Sequence, residues 1–107
     1  MITEDYCSYE VAKLLKEKGF NEFYYYVPKH NNDGTSEAIN TCTHALAMKW
    51  LREQGVYIVI NPWLTTLKPV SYWYSITTRE HYFEQEDFST YEAAVEAALK
   101  YSLENLI

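Results

Sequence analysis

The sequence predicts an α+β fold: a small antiparallel sheet of three to four strands with three helices, in the order α-β-α-β-β-(β)-α. Three segments carry apolar residues at helical spacing, and runs rich in Val, Ile, Tyr and Trp, which favour strands, lie between them. The 107 residues suffice for one modest core, so we expect a single domain over residues 1–107.

The first helix is predicted in "SYEVAKLLKEKGF". Ser8 is the expected N-cap, and an apolar stripe follows at helical spacing, formed by Val11, Ala12, Leu14 and Leu15. Gly19 is expected to end the helix in a left-handed conformation, with Phe20 folding back onto the last turn.

A strand is predicted next in "NEFYYYVPKH", with a turn at "NNDG", residues 31–34. Strand alternation places Phe23 and Tyr25 on one face and Tyr24 and Tyr26 on the other. With helices expected over both faces, we predict that these rings fill the core. The segment "TSEAINT", residues 35–41, fits either a loop or the start of the next helix.

The second helix is predicted in "CTHALAMKWLREQG", capped by Thr41 or Thr43. The apolar runs "VYIVINPWL" and "VSYWYSITT" are then expected to pair as a hairpin through the connector "TTLKP", residues 65–69. Both strands are apolar on two sides, which predicts a sheet covered on both faces. The segment "EHYFEQEDF" fits a short edge strand protected by its acids.

The last helix is predicted in "STYEAAVEAALKYSLENLI". Ser89 and Glu92 have the spacing of a capping box, in which two backbone donors are satisfied reciprocally. Glu96 and Lys100 are expected on the water-facing side, where residues four apart form a weak ion pair.

Charge and composition exclude several classes of protein. The net charge is −6, so direct nucleic-acid binding is not expected. No segment is long and apolar enough to cross a membrane, and the acidic N-terminus lacks a secretory signal. Two cysteines are too few for a disulfide framework, which predicts free thiols and a cytoplasmic location.

The helix "AMKWLREQG", the aromatic hairpin and "STYEAAVEAALKYSLENLI" resemble uncharacterised small proteins of phages and mobile elements of intestinal bacteria. Those proteins share a helix of the form A-x-K-W-L-R-E and a C-terminal helix of the form Y-E-x-A-V-E-A-A-L. More distantly, the helix–hairpin–helix part is similar to the phage ABA-sandwich type of domain. The resemblance implies a fold and a genomic setting, and it implies no activity or site residue.

Cys42 and His44, in "CTHAL", are the candidates for chemistry. Two positions apart on a helix they point away from each other, so they cannot share a metal unless the helix starts later. Cys7 and His81 would have to converge on them from distant parts of the chain. We therefore predict no metal and no cofactor, with His44 partly buried and making one hydrogen bond, and these residues show no signature of an enzyme.

The aromatic surplus indicates a protein-binding role, since Tyr and Trp are typical interface anchors. The interface candidates are Trp63, Trp73, Tyr24 and Tyr26. The sequence thus predicts a small accessory protein of a phage or mobile element that acts by protein–protein contact, with homodimerisation as one form of that contact. The alternative is a small-ligand binder or an enzyme with a cleft near His44 and Cys42.

Overall fold

The computed structural model describes residues 5–64 and 70–107, which form three helices and two antiparallel sheets. The elements are α1 (Tyr9–Glu17), β1 (Tyr25–His30), β2 (Ser36–Thr41), α2 (His44–Glu53), β3 (Tyr57–Trp63), β4 (Ser71–Thr77), β5 (Tyr82–Phe88) and α3 (Tyr91–Asn105). The predicted α+β class is confirmed. The strands divide into a two-stranded hairpin, β1–β2, and a three-stranded sheet in the order β3-β4-β5.

The strand added to the predicted order is β2, in the segment that fitted either a loop or a helix. It pairs with β1 from Tyr25 opposite Thr41 to His30 opposite Ser36. The predicted turn lies between them, closed by a 2.9 Å hydrogen bond that Asn31 N donates to the Thr35 carbonyl. Gly34 has φ +88°, a backbone conformation that residues other than glycine rarely adopt.

The predicted hairpin of β3 and β4 is confirmed, and its connector, residues 65–69, lies outside the described residues. β5 pairs with β4 and forms one edge of the sheet. Ile58 and Ile60 lie opposite Ile76 and Tyr74, so these side chains share the inner face.

The core lies between this inner face and the three helices. Its central side chains come from all of these elements and are buried: Val11, Leu15, Ala47, Leu51, Tyr74, Ile76, Val95, Ala98, Leu99 and Leu103. Apolar burial of this kind stabilises a fold by about 25 cal/mol per Å². None of the described helices is long and apolar enough to cross a membrane.

The helix ends follow the predicted caps in two cases of three. The Ser8 hydroxyl accepts from Val11 N at the start of α1, and Thr43 is the N-cap of α2. The predicted cap at Ser89 is wrong: α3 begins one residue later, because the Thr90 hydroxyl accepts a 3.0 Å hydrogen bond from Ala93 N.

Candidate functional site

The outer face of the three-stranded sheet is exposed and aromatic. Residues directly opposite on antiparallel strands share a face, and on this face Tyr57 lies opposite Thr77, which lies opposite Tyr82. Val59 is 52% exposed and Trp63 is 57% exposed. The prediction that the sheet is covered on both faces is therefore wrong. We call this surface, formed by Tyr57, Val59, Trp63, Trp73 and Tyr82, the outer face.

A cleft of about 260 Å³ lies at one end of the outer face, and we call it the Trp cleft. Its lining combines the two predicted tryptophans with two acids and is formed by Trp63, Ser71, Tyr72, Trp73, Glu86 and Asp87. A shift of the β4–β5 register between Tyr72 and Tyr74 accompanies the positive φ of Asp87, 71°. Both acids are exposed, so the cleft combines aromatic walls with a negatively charged rim.

The tyrosines of "FYYYVP" do not fill the core. Tyr24 and Tyr26 are each 71% exposed, and Tyr25 contacts Tyr6 at a ring distance of 4.7 Å. Phe23 alone packs inward, edge-on against Phe20 at 5.0 Å. The core-filling prediction is thus wrong for the three tyrosines, because β1 belongs to a separate two-stranded hairpin and not to the three-stranded sheet that packs on the core.

Tyr26 lines a groove of about 560 Å³ between α1 and the hairpin. Lys13 and Lys16 lie on the α1 side of this groove, so its charge is opposite to that of the Trp cleft. The four predicted interface aromatics therefore separate into two places. Trp63 and Trp73 lie together, while Tyr26 lies in β1 and Tyr24 lies just before that strand.

The other two predicted residues, Cys42 and His44, are buried where the N-terminal segment pairs with the junction of β2 and α2. His44 N donates to the Asp5 carbonyl and Cys7 N donates to the Cys42 carbonyl, each at 2.9 Å. This ladder brings Cys7 Sγ to 3.8 Å from Cys42 Sγ. Because α2 begins at His44, Cys42 precedes the helix, and the angular argument that separated the two side chains does not apply.

Glu96, from the middle of α3, completes this group. Its Oε2 atom lies 2.8 Å from His44 Nε2, and Ser8 N donates to both carboxylate oxygens at 3.2 and 3.3 Å. The prediction that Glu96 faces water and pairs with Lys100 is therefore wrong; Lys100 Nζ instead lies 3.6 Å from a carboxylate oxygen of Glu10. The predicted hydrogen bond of His44 is confirmed, and its side chain is buried, where partial burial was predicted.

Sequence reasoning missed the roles of Cys7 and Glu96. Cys7 contacts Cys42 across 35 residues of chain, and no spacing rule indicates such a contact. Glu96 did carry a signal, since it is the single charged residue in "AAVEAAL", residues 93–99. A single acidic residue among small apolar residues of a helix lies on a face that packs closely, and an acid there is rarely buried without a partner. We call Cys7, Cys42, His44 and Glu96 the thiol cluster.

The thiol cluster is unsuited to nucleophilic catalysis. The hydrogen bond between the two thiols, together with burial, raises the pKa of Cys7, and the nearby Glu96 carboxylate raises it further. The same hydrogen bond lowers the pKa of Cys42, so what excludes Cys42 as a nucleophile is its burial. A cysteine nucleophile has to reach substrate as a thiolate, and Cys7 and Cys42 are both buried. A ligand cleft that uses Cys42 and His44 would require these two side chains to become exposed.

Comparison with known proteins adds no relative: no family model, curated protein or solved structure matches the chain.

Proposed function

We propose that the protein is a protein-binding module that contacts its partner through the outer face of the three-stranded sheet. The observation that carries the proposal is the group of exposed aromatic and aliphatic side chains on that face, among them Tyr57, Val59, Trp63 and Tyr82. Monomeric proteins rarely expose contiguous apolar patches larger than a few hundred Å², and larger patches mark interaction sites. Tyr and Trp are also the residues most often found as binding hot spots.

The charge distribution indicates what kind of surface the partner presents. Glu84, Glu86 and Asp87 all lie on β5, beside the apolar part of the outer face, and the net charge of the chain is −6. We therefore infer a partner whose contacting surface is apolar with a basic margin, because complementary charges favour encounter and suppress wrong pairings. A second copy of this chain would bring its own acids to the contact, so a different protein is the better fit.

The Trp cleft specifies one contact of that interface. Trp63 and Trp73 line the cleft together with Glu86 and Asp87. An indole ring face attracts a cation, and carboxylates accept hydrogen bonds from one. An arginine side chain satisfies both, since its planar guanidinium stacks on aromatic rings and donates to carboxylates. We assign the Trp cleft to an arginine of the partner.

The setting of this activity is also a proposal. The sequence resemblance supports an accessory protein of a phage or mobile element in an intestinal bacterium. The free, buried thiols of Cys7 and Cys42 fit the reducing interior of such a cell.

A capture experiment with matched variants tests the interface. Wild-type protein, Trp63→Ser, and Tyr24→Ser as the control variant are immobilised and exposed to lysate of an intestinal bacterium, and the affinity of each recovered protein is then measured. Removal of a tryptophan hot spot weakens binding by about 2 kcal/mol or more, roughly 30-fold, while Tyr24→Ser keeps wild-type affinity. A partner bound equally well by Trp63→Ser, or lost equally with Tyr24→Ser, contradicts the proposal.

The arginine assignment has its own test with a defined probe. N-acetylarginine amide is titrated into the ¹⁵N-labelled protein, and the indole N–H signals of Trp63 and Trp73 are followed by NMR. These two signals should shift with arginine and stay in place with the neutral citrulline analogue. Equal shifts with both probes would refute the assignment. If the protein sediments as a dimer and Trp63→Ser dissociates it, the outer face is a self-association surface and not a site for a different protein.

A further inference from the structure

Beyond the proposed function, a second site lies in the interior. The ligand atoms of Cys7, His44 and Glu96 are all within 4.8 Å of one another. Cys42 is not part of this group of three, but its Sγ atom lies 3.8 Å from Cys7 Sγ. We propose that the thiol cluster binds one Zn²⁺ ion, with one ligand atom from each of its four side chains.

The separations between the ligand atoms approach those of a tetrahedral zinc site, and some of the side chains have to move to reach it. Two sulfurs bound to one tetrahedral zinc at about 2.3 Å lie about 3.8 Å apart, and the two Sγ atoms are 3.8 Å apart in the structure. His44 Nε2 and Glu96 Oε2, now 2.8 Å apart, have to separate to about 3.4 Å for a tetrahedral ion to lie between them. Cys42 lies outside the group of three, so its thiol has to turn toward these two atoms to supply the fourth ligand.

The surroundings of the cluster offset the negative charge of its ligands. Cys7 immediately precedes Ser8, the N-cap of α1, and Cys42 immediately precedes Thr43, the N-cap of α2. The positive ends of two helix dipoles therefore lie near the two cysteines and offset part of the negative charge of the ligands, while the ion itself displaces the thiol protons when it binds. The hydrogen bonds that Ser8 N donates to Glu96 orient its carboxylate, as the outer partners of metal ligands do.

The ligand types decide which ion the site takes. Two thiolates, an imidazole and a carboxylate match the preferences of Zn²⁺, whereas Mg²⁺ and Ca²⁺ take oxygen ligands. Four protein ligands leave no position for substrate, and the cysteines and His44 are buried. The site is therefore structural, and its ion links the N-terminal segment, the β2–α2 junction and α3.

Cobalt substitution tests the number and kind of ligands. The full chain is unfolded and refolded under reducing conditions with one equivalent of Co²⁺, so that burial of the site does not prevent loading. We expect one bound ion per chain, a thiolate-to-cobalt charge-transfer band in the near ultraviolet, and the intense visible bands of tetrahedral cobalt. One equivalent of Zn²⁺ should then displace the Co²⁺ and remove both signals.

Two ligand variants and one control sharpen the result. Cys42→Ser should halve the charge-transfer intensity, and His44→Gln should keep that intensity while weakening metal affinity by at least about tenfold. His81→Gln is the matched control, because His81 is exposed and lies beside Phe83. Circular dichroism of the metal-free variants checks that each still folds.

Zinc-dependent stability gives an independent readout. At a free Zn²⁺ concentration 100 times the dissociation constant, the folded-to-unfolded ratio should rise about 100-fold in the wild type and in His81→Gln. Refolded protein with both thiols reduced that binds no Co²⁺ overturns the proposal. Full charge-transfer intensity in Cys42→Ser also overturns it, as does equal zinc stabilisation of the wild type and of His44→Gln.

Discussion

The three-stranded sheet and the β1–β2 hairpin differ in what attaches them to the rest of the molecule. The inner face of the larger sheet packs on α3 and buries Tyr74 and Ile76. Along β1 and β2, by contrast, Thr41 is the one buried residue. Its hydroxyl donates a 2.7 Å hydrogen bond to the Cys7 carbonyl, next to the backbone ladder between the N-terminal segment and the β2–α2 junction.

The comparison shows that the larger sheet is stabilised by apolar burial, whereas the hairpin has one buried residue, Thr41, which is held by a hydrogen bond. A two-stranded hairpin is at best marginally stable by itself in water. Three strands with a covered apolar face can be stable independently. We therefore expect the hairpin to open locally at a lower free energy than the larger sheet.

The largest effect is expected from Ile76→Ala, which removes a fully buried side chain from the inner face. Loss of the buried methyl groups and the cavity left behind should lower the free energy of unfolding by about 2–5 kcal/mol. Urea denaturation followed by circular dichroism measures this change.

Val59→Ala is the matched control for Ile76→Ala, because Val59 lies on the opposite face of the same sheet and is half exposed. Its cost should stay near 0.5 kcal/mol, as for surface substitutions in general. Similar losses in the two variants would show that the outer face is covered in solution, for example by a second copy of the chain.

The next effect concerns the attachment of the hairpin. Thr41→Val keeps the shape of the buried side chain but removes the hydroxyl that donates to the Cys7 carbonyl. A buried carbonyl without its donor costs about 1–3 kcal/mol. Hydrogen exchange should show faster opening of the hairpin amides, including that of Ile39, than of the β4 amides.

Two further results complete the Thr41→Val experiment. Thr77→Val, an exposed position on β4, is the control and should leave both sets of amides unchanged. If Thr41→Val lowers the protection of the hairpin and of β4 by the same amount, the two sheets unfold as one unit and the proposed difference between them does not exist.

The sequence predicted the part of this fold that depends on local rules. The Ser8 cap, the turn at residues 31–34 and the β3–β4 hairpin each follow from residue types a few positions apart. Trp63 and Trp73 were also expected at an interface, and they share one cleft. In these cases, side-chain chemistry and chain direction alone restrict the structure.

Contacts between distant segments could not be predicted in the same way. Strand alternation separated the faces of "FYYYVP". It could not show that, within residues 5–64 and 70–107, β1 pairs with β2 alone and that Tyr24 and Tyr26 are exposed. Helical periodicity placed Glu96 toward water because it could not include α1, whose first residues approach α3 at that position. The thiol cluster consists entirely of such contacts.

A smaller effect, confined to alkaline pH, should appear on the inner face of the larger sheet. Burial raises the pKa of the Tyr74 phenol, and neighbouring Tyr101 adds to this effect. Above the usual tyrosine pKa of about 10, the unfolded chain loses this proton before the folded protein does. Stability associated with Tyr74 is therefore complete below about pH 10 and declines as pH rises toward the folded pKa.

Denaturation series between about pH 8 and 11 measure this decline, with Tyr74→Phe as the comparison. The variant loses the hydrogen bond that Tyr74 donates to Gln85, so its stability should be lower at neutral pH. Its decline with pH should nevertheless be shallower than that of the wild type. Equal slopes in the two proteins would show that other groups produce the alkaline loss.

The smallest effect is expected at the tip of the hairpin, where Asp33 is fully exposed. The Thr35 hydroxyl and backbone N–H both donate to its carboxylate, at 2.6 and 2.9 Å, and these bonds lower the pKa of Asp33. The stabilisation is therefore present above the unfolded pKa of about 4 and is lost as pH falls through the lower, folded value. NMR titration of the Asp33 carboxyl and the Thr35 amide should show both signals changing together in that acidic range, with β4 amides unaffected.

The control variant Asp33→Asn should remove the transition at Thr35. A transition that persists in that variant, or one that spreads to β4, would mean that the tip is coupled to the core and that the hairpin is attached by more than its Thr41 end.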